Sequence, residues 1–204
     1  MRNDYIKHII YCVLLQILLL WSSSNSSDLS EFKPEALIQY EIRKVEGTAA
    51  GYFLTYTSDI RNVGSYWVHL QKSDGTDEGE KWGITFNEYK GQTCYKIEAL
   101  HGVNKGRMLV AHSDNRANGD GRVLVHSADH REGDECWVIQ GVRRQGVSVG
   151  YTIVKSTERH RGKYLIASEV RDDDTFWVDV TDNVQVESLW QITADRSKNH
   201  EEMH

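Results

Sequence analysis

The chain repeats one short pattern three times at a nearly constant spacing. Each copy contains Tyr-x-Ile, then Gly-x-x-Leu starting eleven residues after the tyrosine, then Trp-x-Ile about 40 residues after the tyrosine. An internal period of this length constrains the fold strongly, because each copy must form the same supersecondary unit and bury its apolar face against the others. The three motifs start at Tyr40, Gly51 and Trp82, at Tyr95, Gly106 and Trp137, and at Tyr151, Gly162 and Trp190.

Each copy is predicted to form four short β-strands. Apolar and polar residues alternate over these stretches, turn residues separate them, and no segment has the 3.6-residue apolar period of an amphipathic helix. The three repeats are predicted to span residues 37–86, 92–141 and 148–194 of an all-β domain. The predicted strands are 38–45, 51–57, 65–71 and 80–85, then 93–100, 107–112, 122–126 and 135–140, then 149–155, 163–168, 175–180 and 188–193.

Three units of four strands resemble a β-trefoil. The succession of Gly-x-x-Leu, hairpin and Trp-x-Ile is similar to that of the ricin-B-type lectins over residues 37–194. The resemblance implies pseudo-threefold symmetry, with a six-stranded barrel made from the first and fourth strand of each unit and one end closed by the middle hairpins. A three-bladed propeller is disfavoured, because propellers typically have four to eight blades.

Residues present in all three repeats are expected to be structural. A small barrel needs inward side chains of matching size in layers, and each large aromatic buries roughly 150–250 Å². The glycines that open Gly-x-x-Leu are predicted to have positive φ. Function is therefore expected where the repeats differ, and the predicted core is Tyr40, Trp82, Tyr95, Trp137, Tyr151 and Trp190.

The first 24 residues read as a secretory signal peptide. Arg2 and Lys7 precede an apolar run from Ile9 to Trp21, and serines follow it. A signal anchor is the alternative, although the run is short for a bilayer span. Residues 25–36 are predicted to be an extended lead-in, and 195–204 a disordered tail. The mature protein is predicted to be secreted, monomeric and without a membrane span, with Asn25 in an N-glycosylation sequon.

Two cysteines remain after the signal peptide, Cys94 and Cys136. They directly precede the Tyr-x-Ile and Trp-x-Ile of the second repeat, and an exported protein meets an oxidising compartment. A disulfide between them is predicted if the two strands are neighbours. The alternative is two buried free thiols.

The net charge argues against a protein whose whole surface binds nucleic acid. Loss of residues 1–24 removes two of the 24 basic and one of the 30 acidic residues, which leaves a formal charge of −7. A local basic patch for heparin-like sulfated glycans remains open, with solvated loops as the alternative. Its residues are Arg143, Arg144, Arg159, Arg161 and Lys163, with His160 beside them.

No catalytic constellation is present in the sequence. His200 to His204 has the His-Glu-x-x-His spacing of zinc proteases, but it lies in the polar tail with no apolar helix around it. No serine-hydrolase elbow, phosphate-binding loop or dinucleotide fingerprint occurs. The protein is therefore predicted not to be an enzyme and to need no cofactor and no metal.

The resemblance to ricin-B-type lectins implies sugar binding, but the family's site residues are altered. Those lectins place an Asp after Gly-x-x-Leu and a Gln two residues before Trp. Here the residues that follow the leucines are Thr55, Val110 and Ile166. The residues two positions before the tryptophans are Glu80, Glu135 and Ser188. The second repeat keeps the most polar set, which makes it the predicted ligand site: Asp114, Asn115, His126, Asp129 and Asp134.

We therefore expect a secreted recognition module whose ligand is a carbohydrate or glycoconjugate. The alternative is a secreted trefoil that binds an extracellular protein, such as a signalling ligand, a protease inhibitor or an extracellular regulator.

Overall fold

The fold is all-β. The computed structural model describes residues 32–62, 65–73, 79–115, 121–126, 133–157, 160–170, 174–182 and 188–195. A 3₁₀ turn spans Gly102–Asn104. The strands are β1 (Gln39–Lys44), β2 (Phe53–Asn62), β3 (Ser65–Gln71), β4 (Trp82–Tyr89), β5 (Gln92–Ala99), β6 (Met108–Asn115), β7 (Gly121–His126), β8 (Trp137–Arg144), β9 (Val147–Lys155), β10 (Tyr164–Val170), β11 (Phe176–Thr181) and β12 (Trp190–Asp195).

Six of these strands pair in a closed ring. The hairpins β4–β5 and β8–β9 and the antiparallel pair β1–β12 are joined through β1–β4, β5–β8 and β9–β12. Closure leaves the ring without an open edge strand. At each of the three junctions, the tyrosine of one motif pairs directly with a motif tryptophan. These register pairs are Tyr40 with Trp82, Tyr95 with Trp137, and Tyr151 with Trp190.

The other six strands form three hairpins that pair with one another. These hairpins, β2–β3, β6–β7 and β10–β11, meet because β3 pairs with β7, β7 with β11 and β11 with β3. We call this group the hairpin cap. Its inner face contributes buried side chains to the core that the ring encloses: Leu54, Val68, Leu70, Leu109, Val123, Val125, Leu165, Val178 and Val180.

Each motif tryptophan also ties the ring to the hairpin cap. The indole Nε1 of Trp82 donates to the carbonyl of Leu54 at 2.9 Å, and this leucine belongs to the Gly-x-x-Leu of the same repeat. Trp137 makes the same bond to Leu109 at 2.8 Å, and Trp190 makes it to Leu165 at 3.0 Å. All three tryptophans are fully buried. A buried indole N–H needs an acceptor, so the two motifs depend on each other.

The predicted positive φ of the repeated glycines is confirmed. The φ values of Gly51, Gly106 and Gly162 are 86°, 82° and 85°. Each glycine N–H donates to the carbonyl of the last residue of the preceding strand, at 2.8–2.9 Å. A side chain at this point would meet the usual penalty of left-handed backbone, which explains why the sequence keeps glycine there.

All twelve predicted strands are present, but several continue past their predicted ends. Strands β4 and β8 continue to Tyr89 and Arg144, where each turns back within two residues. The turns are Lys90–Gly91, with φ of 50° and 75°, and Gln145–Gly146, with φ of 53° and 79°. Two successive positive φ values are typical of type I′ hairpin turns, whose twist matches that of the strands.

The lead-in segment closes one end of the ring. Phe32 is buried, and its ring meets the rings of Tyr40, Tyr95 and Tyr151 edge to face at 5.8, 5.7 and 5.4 Å. The Tyr95 hydroxyl donates to the Phe32 carbonyl, and the Glu35 N–H donates to the Tyr40 hydroxyl at 2.6 Å. Phe32 therefore acts as a plug that the three motif tyrosines surround.

The predicted core is buried except at Tyr151. Tyr40, Tyr95 and the three motif tryptophans are buried, whereas Tyr151 is half-buried and packs against the core from its margin. The cross-strand neighbours explain the difference. Tyr95 lies opposite Phe86, whose ring is 5.0 Å away, but Tyr151 lies opposite Gly141, which has no side chain to cover it.

The predicted disulfide is confirmed. Cys94 and Cys136 are bonded, with their Cα atoms 5.4 Å apart, and both are fully buried. They lie beside the paired Tyr95 and Trp137, so the bridge reinforces the β5–β8 junction. The amide of Asn87 lies 3.6 and 3.8 Å from the two sulfurs.

A buried lysine joins the first and last strands of the ring to β4. The Lys81 ammonium lies 2.6 Å from a Glu41 carboxylate oxygen and 2.8 Å from one of Asp195. Burial alone would lower the pKa of Lys81, but the hydrogen bonds and charges of Asp195 and Glu41 outweigh it and raise the pKa above its usual range. The lysine therefore stays charged and holds β1 and β12 together.

Truncation of any motif tryptophan should destabilise the protein by a similar amount. We expect Trp82→Ala, Trp137→Ala and Trp190→Ala each to lower the free energy of unfolding by roughly 3–5 kcal/mol, the usual cost of removing a buried aromatic. Chemical denaturation of the three variants measures this. Wild-type stability in one of them would contradict the equivalence of the three junctions.

Removal of the plug should also be costly. We expect Phe32→Ala to lower the free energy of unfolding by roughly 3–5 kcal/mol, because it leaves a cavity between three tyrosine rings. The matched control is Leu37→Ala five residues later, where the side chain is 98% exposed and its loss should change stability little. Equal thermal denaturation midpoints for the two variants would show that Phe32 is not a plug.

Loss of the disulfide should destabilise the chain by about 4 kcal/mol. The bridge closes a loop with a sequence separation of 42, and the chain-entropy relation gives that value for such a loop. The measurement is denaturant unfolding of Cys94→Ala/Cys136→Ala against the oxidised wild type. Reduction of the wild type should reproduce the effect of the double substitution.

Candidate ligand-binding surface

The structure describes two side chains of the polar set predicted in the second repeat. His126 ends β7, opposite Met108 and Ser65, and Asp134 lies in the turn that leads to Cys136; both are half-buried. Asp114 and Asn115 belong to β6, but their side chains lie outside the described residues, as do Asp129 and the glycosylation site Asn25. A site in this hairpin therefore stays a prediction.

The predicted basic cluster is divided between the two ends of β9. Arg143 and Arg144 pair with Ser148 and Val147 at its start, whereas the Lys163 carbonyl accepts from the N–H of Lys155 at its end. Eight residues of strand separate these ends by about 26 Å. The described residues therefore do not form one basic surface. The prediction grouped residues that are close in sequence and did not take account of the length of the strand between them.

Acidic side chains reduce the charge at both places. Arg144 forms a two-pronged ion pair with Glu46, at 2.8 and 3.2 Å, and Lys163 lies 3.4 Å from Asp182. Arg161 is exposed, whereas the adjacent His160 is buried, and Arg159 lies outside the described residues. Binding of a heparin-like glycan at either end stays a prediction.

A different set of residues meets on the outer face of the hairpin cap. Since side chains alternate between the two faces of a strand, Val68 and Leu70 in the core imply that Trp67 and His69 point away from it. The same alternation applies to β7 and β11, where the pairs that face outward lie directly opposite each other. These cross-strand pairs are Trp67 with Leu124, Arg122 with Asp179, and Trp177 with His69.

These outward residues form one aromatic and charged group, which we call the cap cluster: Trp67, Trp177, Arg122, His69 and Asp179. The two indole rings meet edge to face with centroids 5.1 Å apart, and His69 meets Trp177 in the same way at 5.0 Å. The Arg122 guanidinium carbon lies over the Trp67 ring, 5.3 Å from its centroid. Three hairpins thus contribute to a single packed surface group.

Burial divides the cap cluster into two levels. Trp67, Trp177 and Arg122 are half-buried and present part of their surface to solvent. His69 and Asp179 are 2% and 1% exposed, so two ionisable groups lie below the level of the indoles. The solvent-facing level therefore consists of flat apolar rings with one guanidinium.

This arrangement suits a ligand that has both an apolar face and polar groups. An indole offers a large, rigid apolar surface at low entropic cost, and small-ligand sites typically combine such surfaces with a few placed polar groups. The guanidinium adds hydrogen-bond donors in a planar fork. No part of the arrangement supplies a nucleophile held against a base.

A signal for the cap cluster exists in the sequence but requires alignment of the repeats. Trp67 and Arg122 each follow the motif tyrosine of their repeat by 27 residues, and Trp177 follows its tyrosine by 26. Two tryptophans at the same place in two repeats, outside the core motifs, distinguish this position. Sequence reasoning missed them because it compared the repeats only with the polar pattern of known lectins.

Neither a metal-binding group of side chains nor a helix able to cross a membrane is found among the described residues. No three His, Cys, Asp or Glu side chains of this part of the chain are close enough together to hold an ion. None of its helical segments has the length and apolar character needed to cross a bilayer.

Comparison with known proteins identifies similar structures but no family. No protein-family model and no curated protein sequence matches the chain. A Caenorhabditis elegans protein of unknown function is similar, with a TM-score of 0.55, 13% identity and coverage of 83% of this chain and 98% of the other. Cry35Ab1 gives a TM-score of 0.53 at 18% identity, covering 78% of this chain and 36% of that one.

A third similar structure is the Saccharomyces cerevisiae protein O-mannosyltransferase Pmt1–Pmt2 complex bound to the sugar donor. Its TM-score is 0.53 at 13% identity, and the match covers 81% of this chain and 25% of the other. At such identities the similarity concerns the fold alone. The chain thus has an all-β fold that is also found in solved structures of unrelated sequence.

Proposed function

We propose that the protein is a secreted, non-enzymatic recognition module that binds a carbohydrate or glycoconjugate through the cap cluster. The observation that carries the proposal is the meeting of Trp67 and Trp177, half-exposed and 5.1 Å apart, beside the Arg122 guanidinium. Neither indole belongs to the core that holds the ring together. A sugar ring has one apolar face and several hydroxyls, so it fits such a surface.

We further propose that the fold is a β-trefoil. The closed ring of six strands, the three mutually paired hairpins and the three equivalent Tyr–Trp junctions support this arrangement. The cap cluster would then lie where the three pseudo-symmetric units meet. That location would let all three repeats contribute to one site.

The distribution of exposed apolar side chains favours a small ligand over a broad protein interface. The large exposed hydrophobics of the described residues are Leu37, Phe86, Val103 and Val147, which lie on four different segments of the chain. Single exposed hydrophobics are normal at protein surfaces. A stable protein interface usually needs a continuous area of about 800 Å² on each partner.

The disulfide supports the proposed secretion. Bonds of this kind persist in oxidising compartments and are rare in the cytosol. Cys94 and Cys136 are bonded at a junction of the ring. Together with the apolar N-terminal run of the sequence, the bond favours an extracellular protein.

Loss of one indole from the cap cluster should weaken sugar binding about tenfold. An aromatic contact contributes roughly 0.5–1.5 kcal/mol beyond its buried area, and 1.4 kcal/mol corresponds to a factor of ten. The experiment screens wild type and Trp177→Ala on a glycan array and then titrates the best-binding glycan by calorimetry. The matched control is Phe86→Ala, which removes an exposed aromatic of the ring.

A further variant separates the two candidate sites. If the site is the predicted polar hairpin of the second repeat, His126→Ala should reduce binding and Trp177→Ala should leave it unchanged. Absence of binding to every glycan would reject the proposal. Saturable binding to an extracellular protein that simple sugars do not compete would support the alternative, a protein-binding module.

A further inference from the structure

We infer that the ligand of the cap cluster carries a negative charge, as in a sugar with a carboxylate or sulfate group that Arg122 binds. This inference rests on the proposed function and specifies its ligand class. Its basis is a position at which the repeats differ. At 26 or 27 residues after the motif tyrosine, two repeats carry Trp67 and Trp177, and the other carries Arg122. A guanidinium at this position supplies a positive charge as well as hydrogen-bond donors, and the charge favours an anionic ligand.

The structure holds the guanidinium where a ligand on the indoles would reach it. Arg122 pairs across the sheet with Asp179 and lies over the Trp67 ring at 5.3 Å. Within the described residues, this stack is the contact that the structure shows for the guanidinium. Stacking restricts an arginine while leaving its in-plane N–H groups able to donate, which favours two-pronged recognition of a planar carboxylate.

Two other basic side chains of the described residues are held by carboxylates. Arg144 is held by Glu46, and Lys81 by Glu41 and Asp195. Near Arg122, the acidic neighbour Asp179 is 1% exposed. Arg122 is therefore the charged side chain at the solvent-facing level of the cap cluster, and the Asp179 carboxylate lies buried below it.

The guanidinium at the solvent-facing level disfavours a cationic ligand. Two adjacent tryptophans would otherwise suit a quaternary ammonium group, which binds to aromatic faces. A unit charge 5 Å from the guanidinium changes a binding constant by roughly fourfold even in bulk water, and on the order of a hundredfold at the effective dielectric of a protein surface. The sign of this effect opposes a cation and favours an anion.

The test uses a glycan array with matched sets, in which each neutral sugar stands beside its uronic acid and its sulfate ester. We expect the acidic members to bind at least about tenfold more tightly than the neutral ones, and their binding to weaken as salt rises. Preference for uronates over sulfates, or the reverse, identifies which anionic group the site takes.

Variants of Arg122 complete the test. Arg122→Gln should remove the preference for acidic sugars, and Arg122→Lys should retain part of it, since the charge remains but the fork is lost. The control Arg144→Gln should keep the full preference. Each variant is checked by its thermal denaturation midpoint.

The outcomes distinguish the inference from the proposed function. If acidic and neutral sugars bind equally, or if Arg122→Gln keeps the preference, the inference is wrong and the module binds neutral sugars. If no member of any set binds, the proposed function itself fails.

Discussion

The fold depends on one tryptophan side chain per repeat. Each of these indoles lies at a junction of the ring beside a motif tyrosine, and its N–H reaches the carbonyl of a leucine in the hairpin cap. Loss of such a bond leaves a buried polar group unsatisfied, at a cost of about 1–3 kcal/mol in addition to the lost packing. In each repeat, the tryptophan of Trp-x-Ile and the leucine of Gly-x-x-Leu are therefore the two partners of one buried contact.

Alternation along the cap strands places the core side chains and the outward side chains on opposite faces. Inward positions such as Val68, Val123 and Val178 fill the core and stay apolar in every repeat. Outward positions do not take part in that core and differ in charge and size, as Trp67, Arg122 and Trp177 do. Substitutions at the outward positions would therefore leave the interior packing in place, because the two sets of side chains occupy opposite faces of the same strands.

Much of the scaffold was predictable because identical residues recur where identical contacts are needed. The twelve strands, the positive φ of three glycines and the Cys94–Cys136 bridge follow from periodicity and turn chemistry. The cap cluster was not predicted, since it depends on the non-local pairing of three hairpins. The basic cluster shows the opposite error: Arg144 and Lys163 are near in sequence, but β9 holds their backbones apart.

The plug has a consequence for the symmetry of the molecule. A single phenylalanine cannot present the same groups to three surrounding tyrosines, so the tyrosines become chemically distinct. The Tyr95 hydroxyl donates a hydrogen bond to the plug's carbonyl, and the Tyr40 hydroxyl accepts one from the lead-in backbone. Tyr151 contacts the plug through its ring. The three tyrosines of the repeated motif therefore make different contacts, and exchanging the order of the repeats along the chain would not preserve them.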